Sequence, residues 1–220
     1  MCGRFNIIQA NLNSIMEAFH LTTMVELILS PHYNFAPSQE TIVLVNEGPQ
    51  IVPRMMKWGL IPPWSKPEKP TIYINLRADT LQTKPTFTKF LRTSRCIVPA
   101  DGFYEWKTEG KMKTPYRFVL EEGIFGFGGI YQESMDAKGT VHYTFCLITT
   151  EPNEVVAKVH DRMPVIVSKA LASNWLNPKT LLSDVIACLG PYPAKSMKSY
   201  PVSTKLNSAK FDSEELIKPV

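Results

Sequence analysis

The chain has none of the spacings that mark a bound metal. Its four cysteines (Cys2, Cys96, Cys146, Cys188) form no Cys-x-x-Cys pair, and its four histidines (His20, His32, His142, His160) form no close pair on a helix face. This argues against zinc and against a secreted disulfide scaffold, and no cofactor is implied. No apolar run approaches the roughly 18 residues of a membrane span, so no membrane role is expected. A charged start followed by an apolar signal core is missing too. Low-complexity tracts and internal repeats are absent. Strong charge is lacking as well. The net charge is +4 and the pI about 8.8, short of the domains that grip duplex DNA by charge alone.

What is present is an ordinary globular composition bent towards strands. Hydrophobic residues make up 44% and charged residues 20%, with 18 prolines and 10% aromatics. A chain of 220 residues can bury a sizeable core, and we expect one domain over 1–220. Charge is uneven: residues 51–120 hold 13 of the 24 Lys and Arg but 5 of the 20 Asp and Glu. That third can form a basic face or a merely solvated one.

Leu12, Ile15, Met16 and Phe19 follow helical spacing, with Asn11 as the cap. A break is expected at 31–37. Short β-rich runs follow at 41–45, 51–58, 71–75, 95–98, 103–107, 116–120, 124–130 and 143–149. A short helix is expected over 154–160 and a strand over 164–167. Ser168 should cap a helix carrying Leu171 and Trp175, a second helix runs through Leu182, Val185 and Ile186, and a strand lies near 200–203. Segments 62–70 and 109–113 read as surface loops. The pattern implies an α+β fold, a mainly antiparallel β-sheet core with flanking short helices.

Several segments are too polar to be plain structure. Met1-Cys2-Gly3-Arg4 puts a cysteine where loss of Met1 would leave an amine and a thiol on adjacent carbons. The amine can condense with an aldehyde, and the thiol can then close a thiazolidine ring. Asn75 and Arg77 share a strand face. In Phe103-Tyr104-Glu105-Trp106-Lys107, an inward Phe103 takes Glu105 inward with it, where a carboxyl would have a raised pKa and could donate a proton. His160-Asp161-Arg162 holds the best imidazole for acid/base work. Asn34, in Tyr33-Asn34-Phe35-Ala36-Pro37, is either a turn residue or a DNA contact.

These residues, with Trp58-Gly59-Leu60-Ile61-Pro62 and Trp64, resemble the SOS-response-associated peptidase (SRAP) family, in order from Cys2 to Pro201-Val202-Ser203. The resemblance implies a sensor of abasic sites in single-stranded DNA, crosslinking them through the N-terminal cysteine and so shielding the lesion. It places Asn75, Glu105 and His160 at the family's other active-site positions, and Arg77 and Arg162 at phosphate contacts. The chain departs from the family at Leu76 and Asp79, where Asn-Ala-Arg-x-Glu-Thr is frequent, and at His32, where Arg-Tyr-Asn is.

The chemistry of the residues fits that expectation. His160 or Glu105 can open the closed sugar, and a neutral Glu105 can drive loss of water from the carbinolamine. Arg4, Arg77 and Arg162 can hold phosphates, and Trp64 or Trp106 can stack on bases. Rival readings stay open: an amidotransferase using the same thiol, a lyase or self-processing peptidase, and a DNA-binding module without chemistry. A monomer is expected, cytoplasmic and nucleoid-associated in a bacterium or nuclear in a eukaryote.

Overall fold

Two sheets share one aromatic core, and the start of the chain runs between them. The computed structural model describes residues 2–9, 12–21, 29–66, 68–135 and 139–220. Its early elements are β1 (Arg4–Ile7), α1 (Leu12–Ala18), β2 (His32–Phe35), β3 (Glu40–Glu47), β4 (Gln50–Trp58) and β5 (Asn75–Arg77). Next come α2 (Ala78–Thr83), α3 (Pro85–Thr93), β6 (Arg95–Ala100), β7 (Gly102–Glu109), β8 (Met112–Leu120), β9 (Phe125–Met135) and β10 (Val141–Thr150). The remainder holds β11 (Met163–Pro164), β12 (Ile166–Val167), α4 (Lys169–Leu176), α5 (Leu182–Ala187) and β13 (Met197–Pro201). Among the described residues no helix is long and apolar enough to cross a membrane.

The five-stranded sheet runs β13-β8-β7-β1-β2 and is antiparallel throughout. The larger sheet runs β11-β10-β4-β3-β6-β9-β12, with β5 on β10. Its β10 also pairs β9, so β10, β4, β3, β6 and β9 close into a ring. Closure leaves those strands no open edge. Among the described residues only β10 pairs in parallel, with β4 and β5. The architecture is α+β and mainly antiparallel.

Phe5 of β1 holds the two sheets together. Its ring stacks on Phe35 at 4.9 Å and meets Trp58 at 5.2 Å and Phe127 at 5.7 Å. Phe103 stacks on Phe118 at 4.8 Å from the same side. Each such buried ring contributes about 1.5–3 kcal/mol. Strand β9 tolerates this crowding because it carries glycine: a Cβ on Gly129 would lie 2.9 Å from the Cys146 carbonyl oxygen. A smaller cluster of Tyr104, Val202, Leu206 and Leu216 covers the other face of the five-stranded sheet. Here the Tyr104 hydroxyl donates to the Tyr33 carbonyl at 2.8 Å. The C-terminal segment thus seals β7 from outside.

Several expectations need correction. The stretch 31–37 is not a break but contains β2, whose Asn34 is buried. The strand expected at 71–75 starts only at Asn75, because Tyr73 forms a lone bridge with Leu60. The helix expected over 154–160 is one 3-10 turn, Val156–Lys158. Helices α2 and α3 fill the middle, where none was expected, while the C-terminal end has 3-10 turns. Pro85 opens α3 at a position that needs no N–H donor, and Phe90 and Leu91 bury its inner face. The 109–113 loop is a tight turn at Gly110, whose φ is +60°. Ser168 does stand at the start of α4, but Leu171 is 43% exposed and Ala172, Trp175 and Leu176 face the core. The Asn11 cap lies outside the described residues.

Candidate active site

Cys2 sits at the seam between the sheets. It precedes β1 of the five-stranded sheet, and its carbonyl accepts 2.8 Å from the Asn75 Nδ2 of β5 in the larger sheet. The residue is 0% exposed and belongs to the main core. Its Sγ lies 3.7 Å from the Arg4 carbonyl. Burial pushes the thiol well above its ordinary range, and the Glu105 charge acts in the same sense. The Asn75 Oδ1 is buried without a hydrogen-bond partner among the described residues.

Glu105 lies on β7 beside Tyr104, which pairs with Arg4 in register. Its side chain is 2% exposed and its pKa rises to about 7, because burial disfavours the carboxylate. As expected, Phe103 and Glu105 are both buried, but so is Tyr104 between them.

His160 follows the 3-10 turn, its N–H bonded to the Val156 carbonyl at 2.9 Å. Its Nε2 stands 3.8 Å from Glu105 Oε2. Its Nδ1 lies 3.0 Å from the Arg162 backbone N–H, 3.2 Å from the Arg162 carbonyl and 3.1 Å from the Asp161 carboxylate, so the backbone and Asp161 hold that side of the ring while Nε2 faces Glu105. Burial lowers the His160 pKa, and the nearby Asp161 opposes this. Burial therefore favours the neutral form of both groups, the Glu105 carboxyl raised and the His160 imidazole lowered.

A cleft of about 470 Å³ opens in front of these groups, lined by Gly3, Arg4, Glu105, Trp106, His160 and Asn207, with Thr108 and Lys113 at its rim. Arg4 is held by one nitrogen. Its Nη1 donates to Asn34 Oδ1 at 3.1 Å and to the Leu206 carbonyl at 2.6 Å. Asn34 is fully enclosed. Its Nδ2 donates to the Ser208 and Phe211 carbonyls at 3.0 and 2.8 Å, so it reaches the cleft only through Arg4. Trp106 is half-buried, with its indole N–H on Asn207 Oδ1 at 2.7 Å.

Arg77 and Arg162 lie on the larger sheet. Arg162 Nη2 donates to the Thr149 carbonyl at 2.6 Å, and Thr149 pairs with Arg77 in register. Burial lowers the Arg162 pKa and the Arg77 charge adds to it, so the two guanidinium groups feel one another. Arg77 is exposed and bonded to Asp79 through Nε and Nη2, at 3.1 and 2.7 Å. Trp64 is not brought to the cleft. It is 45% exposed, edge-on to Phe87 at 5.5 Å, and lines a different hollow with Pro85, Lys89 and Phe90.

Sequence reasoning missed the rim. Lys113 follows from the hairpin register once the turn is set at Gly110, which puts it opposite Thr108. Nothing in the sequence pattern points to Asn207. Among the described residues no group of three or more His, Cys, Asp or Glu could hold a metal ion.

Comparison with known proteins gives the lineage. The model of the family described as SOS response associated peptidase (SRAP) matches residues 1–209. The chain is 43% identical over 222 residues to the abasic site processing protein YoqW of Bacillus subtilis (strain 168), covering 99% of each. It is 28% identical over 225 residues to the abasic site processing protein YedK of Escherichia coli (strain K12), covering 100% of each. A crystal structure of a protein from Bacteroides thetaiotaomicron superposes with a TM-score of 0.87 at 26% identity, again covering 100% of each chain. A chain that shares this profile and this identity over nearly its whole length belongs to the SOS response associated peptidase family.

Proposed function

We propose that the protein processes abasic sites in single-stranded DNA, capturing them as a thiazolidine on Cys2 after Met1 is removed. The names of its relatives support the substrate class. The observation that carries the reading is the set of groups around Cys2: Asn75 on its carbonyl, and a near-neutral Glu105 3.8 Å from His160.

The steps follow from those groups. His160 or Glu105 opens the closed sugar to its aldehyde by moving a proton from the anomeric hydroxyl to the ring oxygen. The neutral amine of Cys2 adds to the carbonyl carbon. Glu105 protonates the departing hydroxyl, so that water leaves and an imine forms. The thiol sulfur then bonds to the imine carbon, and its proton ends on nitrogen. One water is lost overall.

In this order sulfur reacts last, whereas a peptidase or amidase would need the thiol first, with its pKa lowered by its neighbours. Lyase activity is the expected side reaction of the same imine when ring closure fails. Arg4, Arg77 and Arg162 hold phosphates and Trp106 offers a ring to a base. Asn34 contributes by fixing Arg4, and Trp64 has no part at the lesion itself. The protein acts as a monomer without cofactor wherever single-stranded DNA is exposed, in the nucleoid or the nucleus.

The test is intact mass after mixing with an abasic single-stranded oligonucleotide. The adduct should equal protein without Met1 plus oligonucleotide less one water. Protein with its terminal amine acylated should give none, and an equal yield from it would overturn the reading.

A further inference from the structure

A strand whose lesion lies at Cys2 must leave the site in two directions, and the two sheets offer different partners for it. On the larger sheet stand Arg77 and Arg162 beside Thr149. On the five-stranded sheet stand Trp106 of β7 and Lys113 of β8, which line the cleft with Glu105 and His160. Cys2 lies between, bonded across the seam to Asn75.

Lys113 is the lysine of the β7–β8 hairpin that lines the cleft, and cations near it are paired. Lys107 pairs with Glu109 at 2.7 Å, and Lys205 with Glu215 at 2.7 Å. Lys113 is exposed and makes no ion pair among the described residues. An unneutralised ammonium at the rim of a cleft, beside a half-exposed indole, is complementary to one nucleotide unit: a phosphate on the lysine and a base on the ring. Asn207 completes the arrangement by accepting the Trp106 N–H at 2.7 Å. The adjoining Leu206 carbonyl fixes Arg4, so one C-terminal turn orients both side chains.

We infer that Trp106 and Lys113 form a second flank subsite, binding the nucleotide on the side of the lesion opposite that held by Arg77 and Arg162. Asn207 is its positioning residue. The inference rests on the capture reading and adds a polarity to it: each sheet binds one flank.

The test uses single-stranded oligonucleotides carrying a reduced abasic sugar, which has no aldehyde, at the 5′ end, the 3′ end or the middle. Dissociation constants are measured at several salt concentrations. Lys113→Gln should weaken one end-lesion oligonucleotide about 5-fold at 0.1 M salt, lower its salt slope by about 0.7, and leave the other unchanged. Arg162→Ala should weaken the opposite one. Asn207→Ala should act on the same oligonucleotide as Lys113→Gln, and its effect should vanish in a Trp106→Phe background, where no N–H remains to hold. The inference is overturned if Lys113→Gln weakens both equally or neither, or weakens the one that Arg162→Ala weakens. Wild-type crosslinking of a reactive mid-strand lesion is run alongside. Its failure strikes the capture reading, whereas its success with a symmetric Lys113 effect strikes only the subsite.

Discussion

Glu105 and Asp79 are carboxyl groups of the same region with opposite fates. Glu105 is 2% exposed and its pKa rises to about 7. Asp79 has a side chain 56% exposed, is gripped by the Arg77 guanidinium, and falls to about 2. Enclosure lets the first group hold its proton up to about pH 7, and a cation strips it from the second. Only the first can act as an acid.

The difference also appears in stability. Between the ordinary Glu value of 4.5 and about 7, Glu105 stays protonated in the fold while the unfolded chain ionises. Stability therefore falls as pH rises through that window, by about 3 kcal/mol in all. Asp79 has the reverse sign, its contribution lost as pH falls towards 2, but exposure keeps it below about 1 kcal/mol. The acid that serves chemistry is thus the one that strains the fold.

The contrast has no chemical meaning unless Cys2 is the reacting residue, so the largest expected effect comes from removing it. Cys2→Ala should abolish the durable crosslink in a denaturing gel assay. Since Cys2 is a core residue, the variant should also lose about 1 kcal/mol of stability, readable as a lower denaturation midpoint. Cys2→Ser keeps the amine and should give only a transient imine, trapped by borohydride. A Cys2→Ala protein that crosslinks as durably as wild type would end the mechanism.

Glu105→Gln separates the two carboxyl roles directly. It keeps shape but cannot transfer a proton, so crosslinking should slow about 10²–10⁴-fold. The wild-type rate should be bell-shaped in pH, limited below about 8 by the protonated amine and above about 7 by ionised Glu105. The variant should lose the alkaline limb, and at pH 8 it should be more stable than wild type. Unchanged alkaline behaviour in single-turnover rates would move the acid role elsewhere.

Much of this contrast was readable along the chain, and part of it was not. Spacing from Phe103 placed Glu105 inside, because strand alternation is local. Burial of the intervening Tyr104 depends on Leu206 and Leu216, about a hundred residues away, and no local pattern reports it. Asn34 looked available because its partners, the carbonyls of Ser208 and Phe211, belong to the distant C-terminal segment. Strand β2 was hidden by Pro31 and Pro37, which bound it without interrupting its pairing with β1. Asn207 was missed for the same reason: the cleft is made by elements that meet only in three dimensions.

His160→Gln sharpens the account of what stands beside Glu105. If His160 opens the sugar, the variant should be about 10²-fold slow on closed abasic sugars. It should be near normal on an analogue that exists as free aldehyde. Rates slowed equally on both would instead assign His160 to the imine step, beside Glu105 at 3.8 Å.

The smallest effects belong to the Asp79 side of the comparison. Arg162 bonds a carbonyl and keeps its charge for DNA, whereas Arg77 is already paired with Asp79. Arg162→Ala should therefore lower the salt slope of single-strand binding by about 0.7, the loss of one phosphate contact. Arg77→Ala should lower it by less, because DNA must first displace Asp79 and the carboxylate gains cations from solvent in return. Asp79→Asn removes that competitor. It should tighten binding a few-fold and bring the Arg77→Ala decrement up to that of Arg162→Ala when the two changes are combined with Asp79→Asn as background. Equal decrements in the Asp79 protein would show that the pair opens without cost. In that case the exposed carboxylate is only a solvated neighbour of the phosphate path, and the contrast with Glu105 is one of burial alone.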